Sequence, residues 1–149
     1  EYVEVLKRLF CDPVSDHDGV YHQLKNARFY PKPVQAPHPP LLFGGESDAA
    51  LRRVADLGDG WFGFNHTPES AADCLKRLDE ILESRGRSRD DLDISLSPYL
   101  RPCCGADLPR FADLGVDRVV LLAMAPSLDS IPATLDEVVR EYGPLASER

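Results

Sequence analysis

Two adjacent glycines constrain this chain more than any other feature. The run Pro39-Pro40-Leu41-Leu42-Phe43-Gly44-Gly45-Glu46-Ser47 continues through Ala55 to Asp59-Gly60-Trp61. It reads as a short apolar strand, a glycine turn, a capped helix and a second strand: one β-α-β unit. Leu41–Phe43 is apolar without alternation, which suits a strand buried on both faces of a parallel sheet. Gly44 and Gly45 let the backbone turn sharply and leave no side chain between its amides and a ligand. Ser47 is placed as an N-cap, and the helix it opens offers free N–H groups where a phosphate can bind. Gly58 is placed to stop that helix as a left-handed C′ residue. The turn is therefore a candidate phosphate site, with a plain tight turn before a capped helix as the alternative.

From Leu41 onward the rhythm is regular. Strand Leu41–Phe43 leads to helix Ser47–Leu57, and strand Trp61–Phe64 to a helix from Pro68 to about Ser84. Strand Leu92–Leu100 leads to a short helix Leu108–Leu114, and strand Arg118–Leu122 to a last helix, about Pro132–Tyr142. In the second helix Thr67 caps, Pro68 takes the first position and Glu69 complements the dipole. Its apolar face is Ala71, Leu75, Leu78 and Leu82, with Cys74 and Ile81. In the last helix Leu135, Val138, Val139 and Tyr142 form the stripe, and Gly143-Pro144 is expected to end it. Upstream, apolar residues at 2, 5, 6, 9 and 10 predict an opening helix. Between 12 and 40 the prolines at 13, 31, 33, 37, 39 and 40 exclude a continuous helix or central strand. A small hairpin is expected there, Gly19–Leu24 with Ala27–Tyr30 around Lys25-Asn26.

Four consecutive β-α units imply a parallel sheet with right-handed crossovers. A doubly wound domain would be complete within 149 residues, whereas a (β/α)₈ barrel takes about 250 and would be half built. The pattern alone favours the complete domain. Yet a chain that opens inside an amphipathic helix is expected to be the C-terminal part of something larger.

Charge and residue chemistry narrow the function. A net charge of −8 argues against nucleic acid and anionic membranes, and no apolar run reaches spanning length. The basic cluster Arg85-Gly86-Arg87-Ser88-Arg89 precedes Asp90 and Asp91 and reads as a solvated connection. Cys11, Cys74, Cys103 and Cys104 lack zinc-type spacing, and reduced thiols fit a cytoplasmic protein. None of His17, His22, His38 and His66 pairs with carboxylates at ligand spacing, so no metal is expected. His66, Asn65, Tyr99 and Arg101 fall near strand ends, where barrel enzymes keep their sites, or else serve as loop and rim. Trp61 is expected to pack beneath the helices or at the barrel end.

The ordered series Gly19-x-Tyr21, Pro31-x-Pro33-x-Gln35, Pro37-x-Pro39-Pro40, Gly44-Gly45-x-Ser47, Ala50-x-Arg52-Arg53 and Gly58-Asp59-Gly60-Trp61 resembles the luciferase-like oxidoreductase family. It is most similar to the branch using flavin or the 8-hydroxy-5-deazaflavin, coenzyme F420. Gly115-Val116-Asp117-Arg118-Val119-Val120-Leu121 resembles that family's approach to its last barrel strand. The resemblance implies an α/β fold in which this chain is the C-terminal half, strands 5–8, of a (β/α)₈ TIM barrel. Residues 1–40 would then be the end of a preceding helix plus the Pro-rich insertion, and residues 41–149 the half barrel of four β-α units. It also implies FMN or coenzyme F420 as cofactor, with Gly44, Gly45, Glu46 and Ser47 as the coenzyme-phosphate turn. A carboxylate at Glu46 would repel a phosphate unless it points away.

The implied activity is monooxygenation or hydride transfer on a small-molecule substrate, with no catalytic residue assignable. The implied partners are the missing N-terminal half barrel and, as in other members, a second copy in a homodimer. Four strands taken from a barrel are expected to expose two edges and a wide apolar inner face. Such a piece alone would be incomplete or inactive. The competing readings are a truncated, non-catalytic half barrel acting as a structural or binding module, and a complete small α/β phosphate-binding domain.

Overall fold

A computed structural model of the chain describes residues 1–146. They fall into two compact units, Glu1–Leu41 and Leu42–Arg149. Among the described residues no helix is long and apolar enough to cross a membrane.

In the first unit, helix α1 (Tyr2–Cys11) is followed by antiparallel strands β1 (Ser15–Asp18) and β2 (Gln23–Ala27). The hairpin exists, but its turn lies earlier in the chain than the Lys25-Asn26 expected from sequence. The reason is Glu1: its carboxylate accepts the N–H groups of Val20, Tyr21 and His22 at 3.0, 2.8 and 2.5 Å and so fixes the turn there. Asn26 instead adopts φ +52°, where the register slips, and its N–H donates to Asp16.

The second unit contains β3 (Leu42–Gly44), α2 (Asp48–Leu57), β4 (Gly60–Phe64), α3 (Pro68–Glu83), β5 (Asp93–Ser97), α4 (Asp107–Asp113), β6 (Arg118–Val119) and α5 (Ile131–Ala146). The four strands are all parallel and stand in chain order, β3-β4-β5-β6. A doubly wound sheet reverses its strand order at a switch point. Here each strand pairs with the next, as in a barrel wall. The pairing thus fits a barrel wall and not a doubly wound sheet.

One face of this sheet packs the helices. Phe43, Trp61, Ile94, Leu96 and Val119 meet Leu51 and Val54 of α2, Leu75, Leu78 and Leu82 of α3, and Phe111 of α4. The apolar face foreseen for α3 is the buried one, and its Thr67–Ser70 capping box and first-position Pro68 are in place. Burying a Leu-sized side chain contributes about 1.5–3 kcal/mol, so this face supplies most of the drive for folding.

The opposite face is mixed where a wide apolar surface is expected. Beside Phe62 it carries a polar chain in which Ser95 Oγ donates to Asp93 at 2.6 Å and Arg118 reaches both. Three local expectations also change. Gly58 is extended, at φ −87° and ψ 151°, rather than left-handed. Its lack of a side chain matters for space, because a Cβ there would lie 2.9 Å from the Val54 carbonyl and 3.1 Å from the Phe43 ring. Gly143-Pro144 does not stop α5, which runs through Pro144 to Ala146. The Arg85–Arg89 cluster is not merely solvated. Arg87 donates to the Ala55 and Gly58 carbonyls, where the α2 dipole is negative, and Arg89 to the Leu114 carbonyl.

Candidate functional site at the strand ends

The C-terminal ends of the strands share one device. The chain leaves β3 through Gly45 at φ +103° and β4 through Asn65 at φ +61°, and two residues beyond β5 stands Tyr99 at φ +54°. Left-handed residues are uncommon outside glycine and concentrate where backbone geometry is functionally constrained. Here they swing each connection sharply away from the sheet.

Gly44, Gly45, Glu46 and Ser47 form the first of these connections. The indole N–H of Trp61 donates to the Gly45 carbonyl at 3.0 Å, and the Arg77 guanidinium donates to the Glu46 carbonyl at 2.7 Å. Arg77 is also paired with Asp48 at 3.0 Å. Two successive carbonyls are therefore tied down by side chains from β4 and α3. Ser47 caps α2 as expected, its Oγ accepting the Ala50 N–H at 3.3 Å. A hydroxyl that accepts one bond still has its own proton to donate. The N–H groups of Asp48 and Ala49 belong to the first helical turn, have no intrahelical acceptor, and meet none among the described residues. The turn thus offers donors outward and binds its own acceptors inward.

Glu46 Oε1 accepts the Phe64 N–H at 3.1 Å and lies 3.6 Å from His66 Nε2. The carboxylate is committed to the end of β4.

His66 is buried, stacked edge-on against Trp61 at 5.4 Å, with Nδ1 3.1 Å from Ser70 Oγ. Its Nε2 makes no hydrogen bond, since 3.6 Å is an ion-pair contact and too long for one. Burial pushes its pKa below the ordinary value, Glu46 pulls it back up, and Arg101 adds to the downward push. Asn65 donates its N–H to the Ser97 carbonyl at 2.7 Å, while its buried Oδ1 has no partner among the described residues. Tyr99 stacks on Phe64 with ring centres 4.5 Å apart.

Residues 1–108 match the family model for luciferase-like monooxygenases. The chain belongs to that family. The same architecture recurs in solved structures. An F420-dependent secondary alcohol dehydrogenase in complex with an F420–acetone adduct matches with a TM-score of 0.70 at 15% identity, over 93% of this chain and 59% of that one. The coenzyme F420 dependent tetrahydromethanopterin reductase from Methanopyrus kandleri matches with a TM-score of 0.73 at 12% identity, over 95% and 60%. A monooxygenase from Streptomyces bottropensis matches with a TM-score of 0.54 at 17% identity, over 95% and 40%. Such low identities establish the fold alone. The chain spans about three fifths of the length of the first two.

Sequence reasoning placed the glycine turn and its cap but missed what holds them. Trp61 reads from the sequence as a packing residue, and Arg77 lies outside the apolar stripe of α3, where nothing in the pattern assigns it a contact. The signal for Arg77 was weak but present, because α3 lies beside α2 in any βαβα layer, within a long side chain's reach of its neighbour's N-terminus.

Proposed function

We propose that the chain is the C-terminal portion, strands 5–8, of a luciferase-like oxidoreductase, with residues before Leu42 forming the Pro-rich insertion. The coenzyme is FMN or coenzyme F420, held by its phosphate at Gly44, Gly45, Glu46 and Ser47. One observation carries this reading: Trp61 and Arg77 hold the turn's carbonyls while the amides of Asp48 and Ala49 and the Ser47 hydroxyl remain free to donate. The group fits the residues present, since Glu46 is turned toward Phe64 and His66, and a Cβ at Gly45 would meet Ala50 Cβ at 2.9 Å.

When bound, either coenzyme supplies the chemistry, hydride transfer for the deazaflavin or oxygen activation for reduced flavin. The protein's part is to bind, orient and exclude water. The turn fixes the phosphate end. Asn65, His66 and Tyr99 form the rim from which a small organic substrate is approached. The apolar side chains left exposed beyond β6, among them Leu122, Met124 and Leu128, support a partner that completes the wall. That partner is the N-terminal half barrel, with a homodimer as the further assembly. Free thiols at all four cysteines support a cytoplasmic setting.

The test is a fluorescence titration of this chain with FMN and with coenzyme F420, alone and mixed with N-terminal halves of family members. Micromolar uptake is expected, with Gly45→Asp abolishing it. Ser47→Ala should weaken it by about 1.5–3 kcal/mol, the worth of a hydrogen bond to a charged group. Uptake only with an added half would mark the chain as inactive by itself. No uptake in any mixture would favour the non-catalytic module.

A further inference from the structure

A cavity adjoins the strand ends, between the connection after β5, residues 121–124 and the face of α5. Its volume is about 270 Å³, and Tyr99, Arg101, Met124, Glu137, Glu141 and Tyr142 are among its lining residues. That is just below the range of about 300–1,000 Å³ typical of drug-sized ligands, so it suits a molecule of fewer atoms.

Its charges are arranged unusually. Of the seven arginines from Arg77 to Arg118, six donate to a carboxylate, carbonyl or hydroxyl. Arg101 is the exception, its guanidinium meeting no partner among the described residues. Its backbone is nonetheless fixed, the N–H donating to the Pro98 carbonyl at 3.0 Å. On the facing wall Glu137 and Glu141 stand one helical turn apart, and neither comes within 4.0 Å of Arg101. The cavity thus carries both signs of charge, Arg101 after β5 and Glu137 and Glu141 on α5, with no ion pair between them. Tyr142, whose hydroxyl donates to the Cys103 carbonyl at 2.8 Å, leaves oxygen lone pairs that can accept from a ligand.

The geometry points to a binding site for a small zwitterion, its carboxylate against Arg101 and its ammonium against Glu137 and Glu141. Two carboxylates against one guanidinium disfavour a dianion, so a phosphate monoester is excluded as the preferred ligand. Arg101 follows the C-terminal end of β5, at the same ends of the strands as the glycine turn. The site is therefore the substrate pocket of the proposed enzyme, and as a substrate assignment it rests on that reading. The zwitterion preference does not.

The experiment compares four probes of matched length by calorimetry on the full chain: 6-aminohexanoate, hexanoate, hexylammonium and hexyl phosphate. The zwitterion is expected to bind about fivefold more tightly than either singly charged probe, the upper range for an exposed ion pair. Arg101→Met should remove its advantage over hexylammonium, with Arg101→Lys restoring part of it. The double variant E137Q/E141Q should remove its advantage over hexanoate. Circular dichroism identifies variants that fail to fold. Hexyl phosphate binding most tightly, indifference of all probes to Arg101→Met in a folded variant, or no binding of any probe at millimolar concentration would each overturn the assignment. Gly45→Asp separates the two readings. Coenzyme uptake absent from the parent chain in every mixture with an N-terminal half, while zwitterion binding survives, defeats the phosphate turn and leaves the pocket standing.

Discussion

Replacing Gly45 by alanine tests the turn most directly, because two independent costs can be assigned to it. The first is conformational. At φ +103° an L-residue is strained, and such positions cost about 1–3 kcal/mol. The second is steric. The new Cβ would lie 2.9 Å from the Ala50 Cβ, against a comfortable carbon–carbon separation of about 3.5–4.0 Å. Ala50 is 3% exposed and sits in the first turn of α2, so relief requires the helix start to shift. Overpacking of this kind costs about 1–3 kcal/mol. The sum, about 2–6 kcal/mol, is read from urea unfolding followed by far-ultraviolet circular dichroism. Ala50→Gly removes the second cost but not the first, so the double variant should recover only the steric share. The cycle should show a coupling of about 1–3 kcal/mol between positions 45 and 50. A Gly45→Ala variant within 0.5 kcal/mol of the parent (roughly the scatter of neutral surface changes) would refute the left-handed turn. Strict additivity would refute the contact.

The buried His66 should make stability depend on pH. Its pKa is lowered in the folded chain, so the unfolded chain binds a proton near pH 6.5 that the folded one refuses. Stability is thus full above about pH 7 and falls as the pH drops through about 6.5 toward the folded value. The difference in urea midpoint between pH 7.5 and pH 5.5 should shrink in His66→Gln, and equal differences would contradict the burial. Leu78→Ala, in the centre of the helix-facing core, should cost about 2–5 kcal/mol in the same assay. Tyr142 is raised to about 12, chiefly by burial and then by Glu141. Absorbance at alkaline pH should therefore show one late-titrating tyrosine that disappears in Tyr142→Phe. A thiol reagent should modify exposed Cys11 and Cys104 first, then Cys103, whose thiol is pushed up to about 11, with buried Cys74 last.

What was legible in the sequence was local and periodic. The Thr67-Pro68 start and the 71-75-78-82 stripe define α3 almost to the residue, because caps and helical spacing are properties of neighbouring positions. Gly44-Gly45 and Ser47 marked the turn for the same reason. Strand order was not readable in this way, since β-α alternation suits both a barrel wall and a doubly wound sheet. The parallel neighbours β3-β4-β5-β6 distinguish them. The β6 pairing shrank to Arg118–Val119, because a run of apolar residues shows burial potential but not how far a partner strand extends. Hidden too were contacts between residues far apart in sequence. Trp61 to Gly45 spans 16 residues and Arg77 to Glu46 spans 31. Gly58 shows that a glycine can be required for space where its position suggests conformation.

The chain-order sheet bears on how the second unit comes apart. Each strand is hydrogen-bonded only to its immediate neighbours in the chain, and the helices follow suit, α2 against α3 and α3 against α4. Such a layer behaves like a short stack of repeats, with stability passed from each unit to the next. Opening should begin at the thin end, where β6 contributes two residues and α5 leaves Leu135 and Val139 to solvent. It should reach last the joint between β4 and β5, where Trp61 lies beside Ile94 under the helices. Amide exchange should therefore advance from residue 118 inward. The glycine turn hangs from Trp61, so its protection should outlast that of the later strand ends.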